Sequence, residues 1–205
     1  MSEGQILIEA GRVVTCDEAR CTEQNPTGAV EGAGVLVEGD RIVAVAPADE
    51  LARAHPAAER SAYPDSVVTP GLVDAHTHAV WVGSRGQEYA LRMAGADYEA
   101  IGKAGGGIVA SMSAVRAATL EELTTALEGR LRRMAQLGVT TVEVKSGYGL
   151  QEAAERRQLE AVARVAEASD LPAVVPTFLG LHALPPEAAG DRDQYARDCA
   201  GWLEG

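Results

Sequence analysis

Aromatic side chains are scarce in this sequence: Phe, Tyr and Trp make up 4% of it, with a single Phe. Aliphatic residues and alanine must therefore fill whatever core the chain builds. Cysteine is sparse too. Cys16, Cys21 and Cys199 form no Cys-x-x-Cys pair and no dense framework, and such an odd, scattered set suits reduced thiols in the cytosol. No run approaches the ~20 apolar residues that a membrane helix needs. The N-terminal stretch MSEGQILIEAGRVVTC lacks both a basic n-region and a long apolar segment, so no signal peptide is expected. Positive charge is in deficit, with 18 Lys and Arg against 30 Asp and Glu, a net charge of −12 and a pI near 4.8. That balance argues against non-specific nucleic-acid or anionic-membrane partners. The expectation is a soluble cytoplasmic protein.

What is present fits a globular chain: 46% hydrophobic and 23% charged residues. A length of 205 residues allows one large domain or one and a half ordinary ones. Residues 5–47 read as a small β module. Ile6 and Ile8 alternate with other residues, and Val35 to Val45 places two β-branched runs around Gly39-Asp40, a hairpin pattern. Residues 17–33 read as a polar loop, and 49–60 as a short helix or an irregular linker. His55 lies there without a ligand-type neighbour and reads as an ordinary surface histidine.

From Thr69 the pattern changes. TPGLVDAHTH reads as a short buried strand ending in His76 and His78. Positions i and i+2 of a strand share a face, so two imidazoles could grip one transition-metal ion; a chance pair on a sheet is the plain alternative. Residues 79–107 read as a long functional loop. Thr119-x-x-Glu122 is a capping box, followed by one stripe of Leu120, Leu123, Leu127, Leu131, Met134 and Leu137, with Gly138 as the helix stop. Val139–Lys145 reads as a strand and 152–168 as a helix with Leu159, Val162 and Ala166 inward. A strand over 173–178 and a helix over 193–203, with Tyr195, Cys199 and Trp202 on one side, complete the pattern. Alternating strands and helices argue for parallel βα units. Their polar residues collect after the strand ends, where a (β/α)8 barrel has its active site.

TPGLVDAHTH preceded by a β module resembles the amidohydrolase superfamily. The blocks Ser84–Tyr89, Ala104–Ile108, Thr140–Leu150 and Thr177–Glu187 resemble, more narrowly, the imidazolonepropionase family. This resemblance implies an α/β fold, a partial (β/α)8 TIM-like barrel of about the first three to four βα units over 66–205. It also implies that 1–65 is the N-terminal part of a small β-sandwich module. The implied activity is hydrolysis of 4-imidazolone-5-propanoate to N-formimidoyl-L-glutamate in histidine degradation, with one divalent metal ion, Zn or Fe.

Carried over residue by residue, the resemblance makes His76 and His78 metal ligands. Arg85, Tyr148 and His182 become substrate-binding residues, with His182 also catalytic, placed to donate to the ring oxygen. Each has a plainer alternative: Arg85 as a surface residue, Tyr148 as core packing, His182 as a cap on the following turn. Lys145 stays outside the metal set. The implied partner is the small-molecule substrate, with a homodimer in the full-length family. A complete barrel takes about 250 residues, whereas 66–205 supplies only about 140, so the family's third histidine, general-base glutamate and metal aspartate are expected from strands beyond this sequence. A fragment of a longer product, a chain completed by a partner, or an inactive remnant would each fit that count. So would another cyclic amidohydrolase or aminohydrolase of the same superfamily, if the narrower resemblance fails.

Overall fold

Leu7, Leu36 and Leu51 draw the first residues of the chain together, each at most 5% exposed. The computed structural model describes residues 4–84, 86–97 and 106–203. It divides into two compact units, residues 1–70 and 71–205.

In the first unit, β1 (Gln5–Val13) pairs antiparallel with β2 (Val30–Glu31) and β3 (Ala33–Glu38). Strand β3 turns at Gly39-Asp40 into β4 (Arg41–Pro47), the hairpin expected from the sequence. Helix α1 (Ala48–Ala54) follows, and β5 (Glu59–Val68) returns parallel to β1. Both faces of the sheet pack. Leu7 joins Leu36, Leu51 and Ala58 on one side, while Ala10, Val13, Ala33 and Val35 cluster on the other. The buried residue near the start of β1 is Leu7, between the two alternating isoleucines, and Ile6 is 40% exposed. The short helix in 49–60 forms, but β5 replaces the linker after it. Its sequence hides it, because Pro64 interrupts the run and almost every position is exposed, as befits a strand at a sheet edge.

The second unit holds three parallel strands in the order β6 (Leu72–Thr77), β7 (Val139–Lys145), β8 (Ala173–Thr177). Between β6 and β7 lie α2 (Gly86–Met93), α3 (Ile108–Ala117) and α4 (Leu120–Gln136). Helix α5 (Glu152–Ala166) joins β7 to β8, and α6 (Arg192–Gly201) follows. The stretch expected as an open loop over 79–107 thus contains α2. Part of it, with Arg85 and Gly105, lies outside the described residues.

Helix α4 begins as its sequence dictates. Thr119 Oγ1 accepts the Glu122 N–H at 3.2 Å, and the Glu122 carboxylate accepts the Thr119 N–H at 2.8 Å. Gly138, at φ +88°, occupies the left-handed position after the helix end. Leu123, Leu127 and Leu131 are fully buried against Val142, Val144, Ala161 and Val162. Leu137 departs from the expected stripe: it lies past the helix end and is 76% exposed. On α5 the inward residues are Ala154, Glu155, Gln158, Ala161, Val162 and Val165, whereas Leu159 is half-buried and Ala166 exposed.

Strand β6 is not the buried strand its apolar start suggested, since Leu72 is 53% and Val73 66% exposed. The pairing explains why. Val73 sits opposite Thr141, and Glu143 opposite Val175, so these residues share the face opposite the buried Val142 and Val144. The described helices pack on the Val142 face.

Candidate functional site

Three parallel strands end side by side, and the loop after each brings one ring to a common point. His78 follows β6, Tyr148 follows β7 and His182 follows β8. The His78 and His182 rings stack with centroids 4.5 Å apart. Tyr148 lies 5.3 Å from each of them. His76 meets His78 edge-on at 5.7 Å, so the two histidines do share a side, despite a register shift between Asp74 and Thr77. Arg85 lies outside the described residues, and His55 belongs to the first unit. His55 is half-buried rather than a free surface residue, with Nδ1 3.0 Å from Gln5 Oε1.

The electrostatics favour a neutral imidazole at His78. Burial lowers the pKa of His78, and the neighbouring His182, His76 and Lys145 push it the same way, against a smaller opposing pull from Glu143. His78 Nδ1 is buried and has no hydrogen-bond partner among the described residues. A buried ring nitrogen is rarely left so, and an unprotonated one is a metal donor. His76 and His78 therefore fit a metal ion as two of its ligands. Among the described residues no cluster of three or more His, Cys, Asp or Glu is arranged to hold a metal.

His182 is held from behind. Its Nδ1 lies 2.8 Å from the Gly147 carbonyl oxygen. A carbonyl only accepts, so Nδ1 carries the proton and Nε2 of the neutral ring is a free acceptor. The ring donates through Nε2 only as imidazolium, which refines the donor role expected for it. The same loop leaves little room: a Cβ on Gly147 would stand 2.9 Å from the Leu179 carbonyl oxygen and 3.0 Å from His182 Cβ, at φ +108°. Leu179 N–H donates to Ser146 Oγ at 3.0 Å, and Tyr195 Oη, from α6, donates to the Gly180 carbonyl at 2.7 Å.

Glu143 is the residue the sequence did not single out. It ion-pairs with Lys145, two positions on along β7, and accepts the Thr77 N–H at 3.2 Å beside the histidines. Burial alone would raise its carboxyl, but hydrogen bonds from Lys145, Thr177 and Thr77 outweigh that and hold it below the ordinary value. The sequence signal was its i, i+2 spacing from Lys145, with the apolar Val142 and Val144 alternating with them.

A bacterial imidazolonepropionase-like composite-domain model matches residues 33–58. The chain is 42% identical over 194 residues to the imidazolonepropionase of Chloroflexus aggregans, covering 93% of this chain and 45% of that protein. It is 46% identical over 173 residues to the imidazolonepropionase of Cupriavidus pinatubonensis, covering 84% and 41%. The chain thus spans less than half the length of these curated relatives. Among solved structures, A. niger ochratoxinase superimposes with a TM-score of 0.53 at 16% identity, over 86% of this chain and 31% of the other. At that identity the likeness is one of fold alone.

Proposed function

We propose that this sequence contributes the first part of an imidazolonepropionase, a hydrolase that opens the ring of 4-imidazolone-5-propanoate to give N-formimidoyl-L-glutamate. Its similarity to named imidazolonepropionases supports the reading. The observation that carries it is the ring cluster: His78, Tyr148 and His182, from three separate strand ends, lie within 5.3 Å of one another. In this reading residues 66–205 form the first βα units of a (β/α)8 barrel and 1–65 belong to a β-sandwich module. Strand ends at the C-terminal face of such a barrel are where its chemistry gathers.

His76 and His78 would hold a divalent metal, Zn or Fe, as two of its ligands. When bound, such an ion lowers the pKa of water and polarises a carbonyl. Tyr148 and His182 flank the imidazolone ring. Nε2 of His182 accepts the proton that the attacking water gives up as its oxygen bonds the ring carbonyl carbon, and the imidazolium so formed passes it to the ring nitrogen as the C–N bond breaks. The Gly147 carbonyl accepts the Nδ1 proton in both states of the ring. Arg85 binds the propionate, since a guanidinium fork matches two carboxylate oxygens. Glu143 and Lys145 neutralise each other beside the histidines.

Arg85 supplies the test of substrate class. In a polypeptide joining this sequence to the C-terminal remainder of a relative, Arg85→Ala should raise KM for imidazolone-propanoate roughly 10- to 100-fold, on the scale of a lost charge-assisted pair. The same change should leave a ring analogue without the carboxylate almost unaffected. Equal losses on both compounds would remove Arg85 from the carboxylate site.

A further inference from the structure

Helix α5 turns two polar side chains into its buried face. Glu155 is 1% and Gln158 0% exposed, three positions apart and hence on one side of the helix. Neither is needed to fill space, since an aliphatic residue would pack against Ala161 and Val162 without a desolvation penalty. Both are instead fully bonded. Glu155 accepts the Gly147 N–H at 2.8 Å through Oε2 and the Leu150 N–H at 2.7 Å through Oε1. Gln158 Oε1 accepts the Gly149 N–H at 3.0 Å, and its Nε2 donates to the Val80 carbonyl at 2.7 Å.

None of these four partners lies in a helix or strand. Gly147, Gly149 and Leu150 belong to the loop that carries Tyr148, and Val80 lies two residues beyond His78. Of the two side chains, Gln158 is the one that bonds to both loops. We propose that Gln158, seconded by Glu155, is a positioning strut that sets the separation of His78 from Tyr148, and through Gly147 the place of His182. An amide is suited to this because it accepts and donates at once. A carboxylate in its place could keep the Gly149 bond but not the Val80 bond, and a methionine could keep neither. Arg116 completes the hold on the Tyr148 loop from the other side, its Nε donating to the Gly149 carbonyl at 2.7 Å. The catalytic consequence rests on the imidazolonepropionase reading, whereas the geometry does not.

The 205-residue chain, labelled with 15N and 13C, reports the geometry through imidazole long-range 15N–1H spectra and ring-to-ring NOEs. Gln158→Glu and Gln158→Met should shift the His78 and His182 ring signals and cause loss of the His78–Tyr148 NOE, with His55 unmoved. Leu127→Ala, a core change on α4, should lower stability and leave the ring signals in place, as a merely structural role at 158 would. Gln158→Glu keeps one bond and is the variant to read where Gln158→Met does not fold. Unmoved ring signals in Gln158→Glu overturn the strut, and so does a Gln158→Glu chain that cannot fold, because Gln158 is then a core requirement. Joined to a relative's C-terminal remainder, Gln158→Glu should lose about 10- to 100-fold in kcat/KM, the scale of a displaced reacting group. A parent polypeptide that hydrolyses nothing sinks the functional reading alone, and the ring spectra still decide the strut.

Discussion

Gly147 sits where three demands meet. Its φ of +108° belongs to the region that L side chains avoid, its carbonyl orients His182, and its N–H is held by Glu155. Gly147→Ala should therefore destabilise the second unit by about 1–3 kcal/mol, read from the urea midpoint, and should displace the His182 ring signals as well. An unchanged midpoint would show that the loop relaxes without strain. Single residues were also where the sequence was most and least informative. His76 and His78 stood out because i and i+2 of a strand share a face, and Tyr148 and His182 through the resemblance to the imidazolonepropionase family. Glu143, Glu155 and Gln158 did not, because a carboxylate or amide on an amphipathic element reads as solvated until its partners from other parts of the chain are in place.

The clearest sequence-to-structure agreement at the scale of elements is α4. Capping box, leucine stripe and terminal glycine all point to the same helix, and it runs as Leu120–Gln136. Leu127→Ala should cost about 2–5 kcal/mol, as for a fully buried leucine. Leu137→Ala should stay within about 0.5 kcal/mol, because that side chain is 76% exposed; equal losses would mean that Leu137 packs after all.

The cap gives α4 a pH signature. Hydrogen bonds from the Thr119 backbone and side chain hold the Glu122 carboxyl below its ordinary value of 4.5. A lowered folded-state pKa stabilises above the unfolded value and is lost as pH falls through the folded one. The stability difference between the parent chain and Glu122→Gln should thus be constant above about pH 4.5 and shrink below it, as denaturant melts at several pH values would reveal. A difference that grows on acidification would contradict the cap. Elements without such agreement were missed. Strand β5 is almost wholly exposed and carries Pro64, and α2 opens on a glycine within a glycine-bearing stretch, so neither shows the period that marks a strand or helix.

For the molecule as a whole, the strand–helix alternation was legible and gave the parallel order β6-β7-β8. The open face of that sheet was not, since Val73, in a strand expected to be buried, is 66% exposed, and Val175 on the same face is 51% exposed. Periodicity reports which residues are apolar, not which face finds a cover. The site follows the same division: three strand ends supply His76, His78, Tyr148 and His182, and the buried Nδ1 of His78 has no partner among the described residues. The most direct measurement is the loss of imidazolone-propanoate ultraviolet absorbance in the presence of Zn or Fe, using this sequence joined to the C-terminal remainder of a close relative. The account predicts metal-dependent loss with formation of N-formimidoyl-L-glutamate, reduced at least about 1,000-fold by His78→Ala through the lost metal chemistry. No loss with metal present, or the same loss in His78→Ala, would contradict it.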